Sequence, residues 1–160
     1  MPLSGALPCF FIRMSLVTLW IILLLAVLLS PLVWLLPSHR QRGQMDVRLA
    51  ARRRGLAMNL SRQDWPHWLE RTPPNPCAQY HRARRPGRSD TWSYWQSPSG
   101  EWLNQWREPC KDERLLAQFA SLPADAYRIE AGVQMIGICW GERGGAEDLD
   151  RLAAVLGALA

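Results

Sequence analysis

Lysine is nearly missing from this chain. Of its 19 basic residues all but Lys111 are arginine, a bias that reads as codon usage and carries no function. Paired-cysteine motifs are missing as well. Cys9, Cys77, Cys110 and Cys139 form no Cys-x-x-Cys, so free thiols in a reducing compartment are expected. Cys77 and His81 have Cys-x3-His spacing, but no second pair completes a zinc site, and no metal is expected. Neither a Walker A sequence nor a G-x-G-x-x-G pattern occurs. The glycine-rich stretch 141–145 is surrounded by Glu142, Glu147, Asp148 and Asp150, which repel phosphate. It reads as a plain connection whose acids stabilise the start of the next helix. His39, His67 and His81 stand in no recognisable nucleophile motif. These absences leave no catalytic residue and no cofactor to name. Distant residues can still assemble a site, so a membrane-tethered enzyme or small-ligand-binding domain stays as the alternative reading.

Long apolar runs are absent too, with one exception. Met14 to Pro37 carries no charge, and its 22 residues from Ser15 to Leu36 make about 33 Å of helix, against a hydrocarbon core of about 30 Å. The run predicts a single transmembrane helix over 14–37. Trp20 and Trp34 are its expected interfacial anchors, and Pro31 is tolerated near its exit. No Ala-x-Ala-like site follows, so cleavage as a signal peptide is not expected. Residues 1–13 form a tail, disordered or interfacial; Met14 serves as a start as well as Met1.

Charge is unevenly distributed. Residues 38–90 hold twelve Arg against Asp46, Asp64, Glu70 and Asp90, whereas residues 91–160 hold six basic groups against ten acids. Arg40, Arg42, Arg48, Arg52, Arg53 and Arg54 follow the apolar run closely. The positive-inside rule then predicts a single-pass protein of the bacterial inner membrane, its amino terminus outside and its C-terminal domain cytoplasmic. Residues 38–55 read as a basic juxtamembrane helix capped by Gly55. Two readings of its arginines stand: topology signals alone, or contacts with the anionic headgroups of the lipid bilayer as well. No aromatics interleave with them, so nucleic acid is not an expected partner.

Residues 56–160 predict a small α+β soluble domain, an antiparallel sheet with covering helices. Strands are expected at 56–60, 77–82, 127–131 and 133–140, a short helical piece within 61–69, an exposed basic turn at 84–88, and helices at 112–121 and 146–159. Residues 91–106 predict a hairpin about Ser97-Pro98-Ser99-Gly100. Pairing Gln96 with Glu101 places Trp95, Trp102 and Trp106 on one face and Trp92, Tyr94 and Leu103 on the other. These aromatics are either core or an exposed partner surface made of Trp92, Tyr94, Trp95, Trp102 and Trp106.

The sequence Leu36-Pro37-Ser38-His39-Arg40-Gln41-Arg42-Gly43-Gln44-Met45, read with the apolar run before it, resembles the start of YajC, the single-span accessory subunit of bacterial preprotein translocase. The resemblance covers about residues 16–50 and carries no functional residue across. It implies a non-catalytic accessory or interaction protein docked on a membrane complex such as the protein-export machinery, with a membrane protein as partner.

Overall fold

Six short stretches, most of them carrying aromatic or β-branched residues and one of them the wholly apolar 135–140, pair into one sheet. A computed structural model describes residues 16–34 and 39–160, the side chains of 32–34 and 39–40 excepted. Its strands are β1 (Ala57–Ser61), β2 (Cys77–Ala83), β3 (Trp92–Gln96), β4 (Trp102–Leu103), β5 (Ala126–Ala131) and β6 (Met135–Trp140). They run antiparallel in the order β1-β2-β6-β5-β3-β4. The helices are α1 (Leu16–Trp34), α2 (His39–Arg53), α3 (Glu113–Phe119) and α4 (Ala146–Leu159). The chain divides into two units, Met1–His39 and Arg40–Ala160.

The first unit corrects the expected fold class. Its helix α1 has 19 residues with Pro31 inside, which is about 28 Å of rise against a hydrocarbon core of about 30 Å. Among the described residues no helix is long and apolar enough to cross a membrane. The transmembrane helix expected over 14–37 is therefore not supported, and its ends at 14–15 and 35–37 lie outside the described residues. The single-pass inner-membrane location, with a cytoplasmic C-terminal domain, rested on that span and is corrected with it. The tail at 1–13, with Cys9, also lies outside the described residues.

The second unit is α+β. Period-two alternation sends Tyr80, Ile129, Ile136, Ile138 and Trp140 to one face of the sheet, where they meet Leu149, Leu152, Val155 and Leu156 of α4 and Phe119 of α3. Burying each such aliphatic side chain contributes about 1.5–3 kcal/mol. Trp140 is fully buried and satisfies its indole by donating to Asp125 Oδ1 at 2.7 Å. Helix α3 begins where Asp112 Oδ1 accepts from the backbone N–H of Arg114 at 2.8 Å. Helix α2 ends in a Schellman motif: Gly55, at φ +72°, donates to Arg52 O, and Leu56 donates to Ala51 O. Leu56 and Ala51 are both in the core, so the same motif ties α2 to the sheet.

The hairpin register differs from the expected one by a residue. Gln96 pairs with Trp102, and Trp95 with Leu103. The cause is the turn. Gly100 adopts φ +89°, and Ser97 N–H donates to Glu101 O at 2.8 Å. That is a three-residue loop, a type I turn closed by a left-handed glycine, and not the four-residue loop on which the expected pairing rests. Because side chains alternate, the shift moves Trp102 to the helix-covered face, where its ring lies 5.0 Å from Phe119. Two smaller expectations also change. Residues 61–69 contain no helix: Pro66 disfavours helical backbone at Trp65, and only Leu69 N–H to Pro66 O closes a turn. In the basic turn, Arg84 is buried and clamps Asp90 and Gly132 O.

Candidate functional site

The face of the sheet opposite the helices carries polar groups where a core would carry aliphatics. Arg128 and Glu130 alternate with the buried residues of β5, Ser61 ends β1, Gln79 lies on β2, and Gln63 follows β1. These five side chains close a ring of hydrogen bonds. Ser61 Oγ donates to Gln79 Oε1 at 3.1 Å, and Gln79 Nε2 donates to Glu130 Oε1 at 2.5 Å. Arg128 bridges Glu130 Oε2 and Gln63 Oε1, and Gln63 Nε2 returns to Ser61 Oγ at 2.5 Å. Gly137 makes room for the ring, since a Cβ there would lie 3.1 Å from Gln79 Nε2. The Arg128 guanidinium also lies over the Trp95 ring, 5.0 Å from its centroid, and its Nε donates to Ser93 Oγ.

Beside this ring lies a groove of about 610 Å³, lined by Ser93, Trp95, Glu130, Met135, Asn104 and Trp106 among others. Its outer wall is a stiff loop. Asn104 Oδ1 accepts from the backbone N–H groups of Trp106 and Glu108, both at 2.9 Å, and Arg107 is held at φ +67°. Trp68 Nε1 donates to Gln105 O at 3.0 Å. On this loop Trp106 is 72% exposed, and Met135, which also lines the groove, is 48% exposed. Trp95, by contrast, is 5% exposed, and its Nε1 has no partner. A large exposed indole on a braced loop, at the rim of a groove, suits a partner that covers it.

Two other clusters hold titratable groups. Glu142 has a nearly inaccessible side chain and sits at φ +54°. It accepts from Arg48 Nε at 2.8 Å, from Arg48 Nη2 at 2.7 Å and from Tyr80 Oη at 2.6 Å. Burial, and then the Glu142 carboxylate, push the Tyr80 phenol far above its ordinary range. Both oxygens of Glu142 are thus engaged within the fold. Cys77 and Cys139 are buried beneath Trp65 and Tyr127. Their mutual hydrogen bond raises the Cys139 thiol and lowers that of Cys77, but burial keeps both sulfurs inaccessible as nucleophiles. Among the described residues no cluster of three or more His, Cys, Asp or Glu could hold a metal ion.

The residues singled out in the sequence fall in different places. Trp20 is exposed on α1; the side chains of Trp34 and Arg40 lie outside the described residues. Arg48 is bound to Glu142 and Arg54 to Asp150, at 2.7 and 2.5 Å. Arg42, Arg52 and Arg53 are exposed on α2. The aromatic set divides. Trp92, Tyr94 and Trp102 pack on Phe119 under the helices, Trp95 is buried on the opposite face, and only Trp106 is largely exposed. Sequence reading missed Ser61, Gln63, Gln79, Ser93, Asn104, Arg128 and Glu130. Asn104 four residues before Glu108 was a legible turn signal. The ring members carry no local signal, because their partners are up to 65 residues away.

No protein-family model, curated protein or solved structure matches the chain.

Proposed function

We propose that this protein is a non-catalytic interaction protein that docks on a larger partner through the groove beside Trp106. One observation carries the reading: Trp106 is 72% exposed on a loop whose backbone is fixed by hydrogen bonds to Asn104 Oδ1. An indole has only two side-chain torsions to order, so on a braced backbone it loses little entropy on binding, and tryptophan is enriched among interface hot spots. Among the described residues the groove's one carboxylate, Glu130, supports the non-catalytic part. Both oxygens of Glu130 already accept hydrogen bonds, from Gln79 and from Arg128, so it is a structural member and not a free base. The resemblance of residues 16–50 to the YajC type directs the search for the partner to protein-export complexes.

The test is a photocrosslinking amino acid at position 106, with position 60 as control; Leu60 is 55% exposed but lies on β1, at the opposite edge of the sheet. One protein crosslinked in stoichiometric yield from 106 and not from 60 is the expected result. Equal labelling from both positions overturns it. A second reading rests on the groove's size: about 610 Å³ lies within the range of small-molecule sites, about 300–1,000 Å³. It predicts a small molecule that copurifies with the wild type, is seen by native mass spectrometry, and is lost from Trp106→Ala.

A further inference from the structure

Helix α2 has two faces of different chemistry. Its inner face is committed to its own domain. Ala51 is fully buried, Val47 and Ala50 pack on the core, Arg48 holds Glu142, and Arg54 holds Asp150. At 100° per residue, positions 42, 45, 46, 49, 52 and 53 gather on the opposite side. There Met45 is 58% and Leu49 45% exposed. Arg42, Arg52 and Arg53 are exposed around them and form no hydrogen bond or ion pair among the described residues; Asp46 shares the face. The two acids that the β6–α4 loop and α4 bring to this helix, Glu142 and Asp150, are already paired with Arg48 and Arg54. The outer face is thus an apolar pair rimmed by three unpaired cations and one anion.

We propose that this face of α2 docks on an anionic lipid surface, with Met45 and Leu49 entering the boundary between headgroups and acyl chains and Arg42, Arg52 and Arg53 on the headgroups. The inference goes beyond the groove and is independent of it. An amphipathic helix lying in the plane of the interface needs this arrangement, apolar residues to insert and cations beside them. Guanidinium groups bind phosphate in a fork, which makes arginine suited to the rim. Nucleic acid fits less well. It would satisfy the cations but leave Met45 and Leu49 in water, and no aromatic on this face could stack on a base. The surface contact requires no helix to cross the bilayer.

The test is flotation of the full chain with vesicles of phosphatidylcholine, and of phosphatidylcholine mixed with phosphatidylglycerol. Apolar attraction through α1 acts on both vesicles alike, so the comparison isolates the charge-dependent part. Binding is expected to be stronger on the anionic vesicles and to fall as salt rises, because exposed charges are screened within about 8–10 Å. R52Q/R53Q should weaken the anionic binding by roughly an order of magnitude. M45S/L49S, which leaves the charges in place, should weaken it several-fold. Equal binding to the two vesicles, or indifference to both double substitutions, overturns the proposal. So does duplex DNA that displaces the anionic vesicles and binds with the same dependence on Arg52 and Arg53.

Discussion

Trp106 and Trp102 are four residues apart and have opposite fates. Trp102 is 5% exposed against Phe119, whereas Trp106 is 72% exposed on its braced loop. Trp102→Ala should therefore cost about 3–5 kcal/mol in urea unfolding. Trp106→Ala should leave stability within about 0.5 kcal/mol, the range of surface substitutions, while abolishing crosslinking or ligand capture at the groove. Gly137 makes a second residue-scale contrast. The Cβ of Gly137→Ala would press on the Gln79 amide at 3.1 Å and disturb its bond to Glu130. Charged residues give a pH dependence whose direction follows from their partners. The buried guanidinium of Arg84 holds the Asp90 carboxyl below its ordinary range. A carboxyl with a depressed folded value stabilises above its unfolded value and loses that contribution as pH falls through the folded one. Stability should fall below about pH 4, where free carboxyls titrate, and Asp90→Asn should flatten that limb of a urea-midpoint profile. At the alkaline end the sign reverses. Tyr80 is raised, so above about pH 10 the unfolded chain ionises first and stability declines.

Among the elements, termini decide more than propensity does. Helix α3 has only seven residues, too few to persist without its cap and its packing. Asp112→Ala should cost about 1 kcal/mol, read as a lower urea midpoint with an unchanged slope. The 97–100 turn acts on register as well as stability. Gly100 at φ +89° shortens the loop by one residue, and that determines which face receives Trp102. Replacement by a β-branched residue strains this conformation. The strain falls on the pairing of Trp95 with Leu103, which supports both the core and the inner wall of the groove.

For the second unit as a whole, the position of α2 matters most. The helix is joined to the sheet by its Schellman end, by Ala51 in the core and by the bidentate contact of Arg48 with Glu142. The Glu142 side chain is 2% exposed, so an unpaired charge there is costly. Arg48→Met should destabilise by about 3 kcal/mol, chiefly by leaving that carboxylate buried and alone, and Arg48→Met with Glu142→Gln should recover much of the loss. Hydrogen exchange should show α2 amides opening faster in Arg48→Met than in wild type. Arg54 and Asp150 are exposed enough that removing their pair should change little.

The sequence alone determined the local elements of the second unit. Helix α4 and the strands at 77–83, 126–131 and 135–140 were legible because period and breakers act over a few residues. So was the start of α3, read at residue 112, where the structure adds the side-chain cap from Asp112 to the amides two and three positions on. Three matters were decided only by tertiary structure. The first is the hairpin register, where one left-handed glycine outweighed the aromatic pattern. The second is the use of the arginines. All six resembled one basic segment, yet Arg48 and Arg54 turn inward to acids 94 and 96 residues away and leave Arg42, Arg52 and Arg53 outside. The third is the ring of Ser61, Gln63, Gln79, Arg128 and Glu130 beside the groove, which exists only because β2, β6 and β5 lie side by side. Hydrogen bonds and ion pairs act over about 3 Å in space. Partners so far apart along the chain leave no periodicity to read, and only the folding of the sheet brings them into reach.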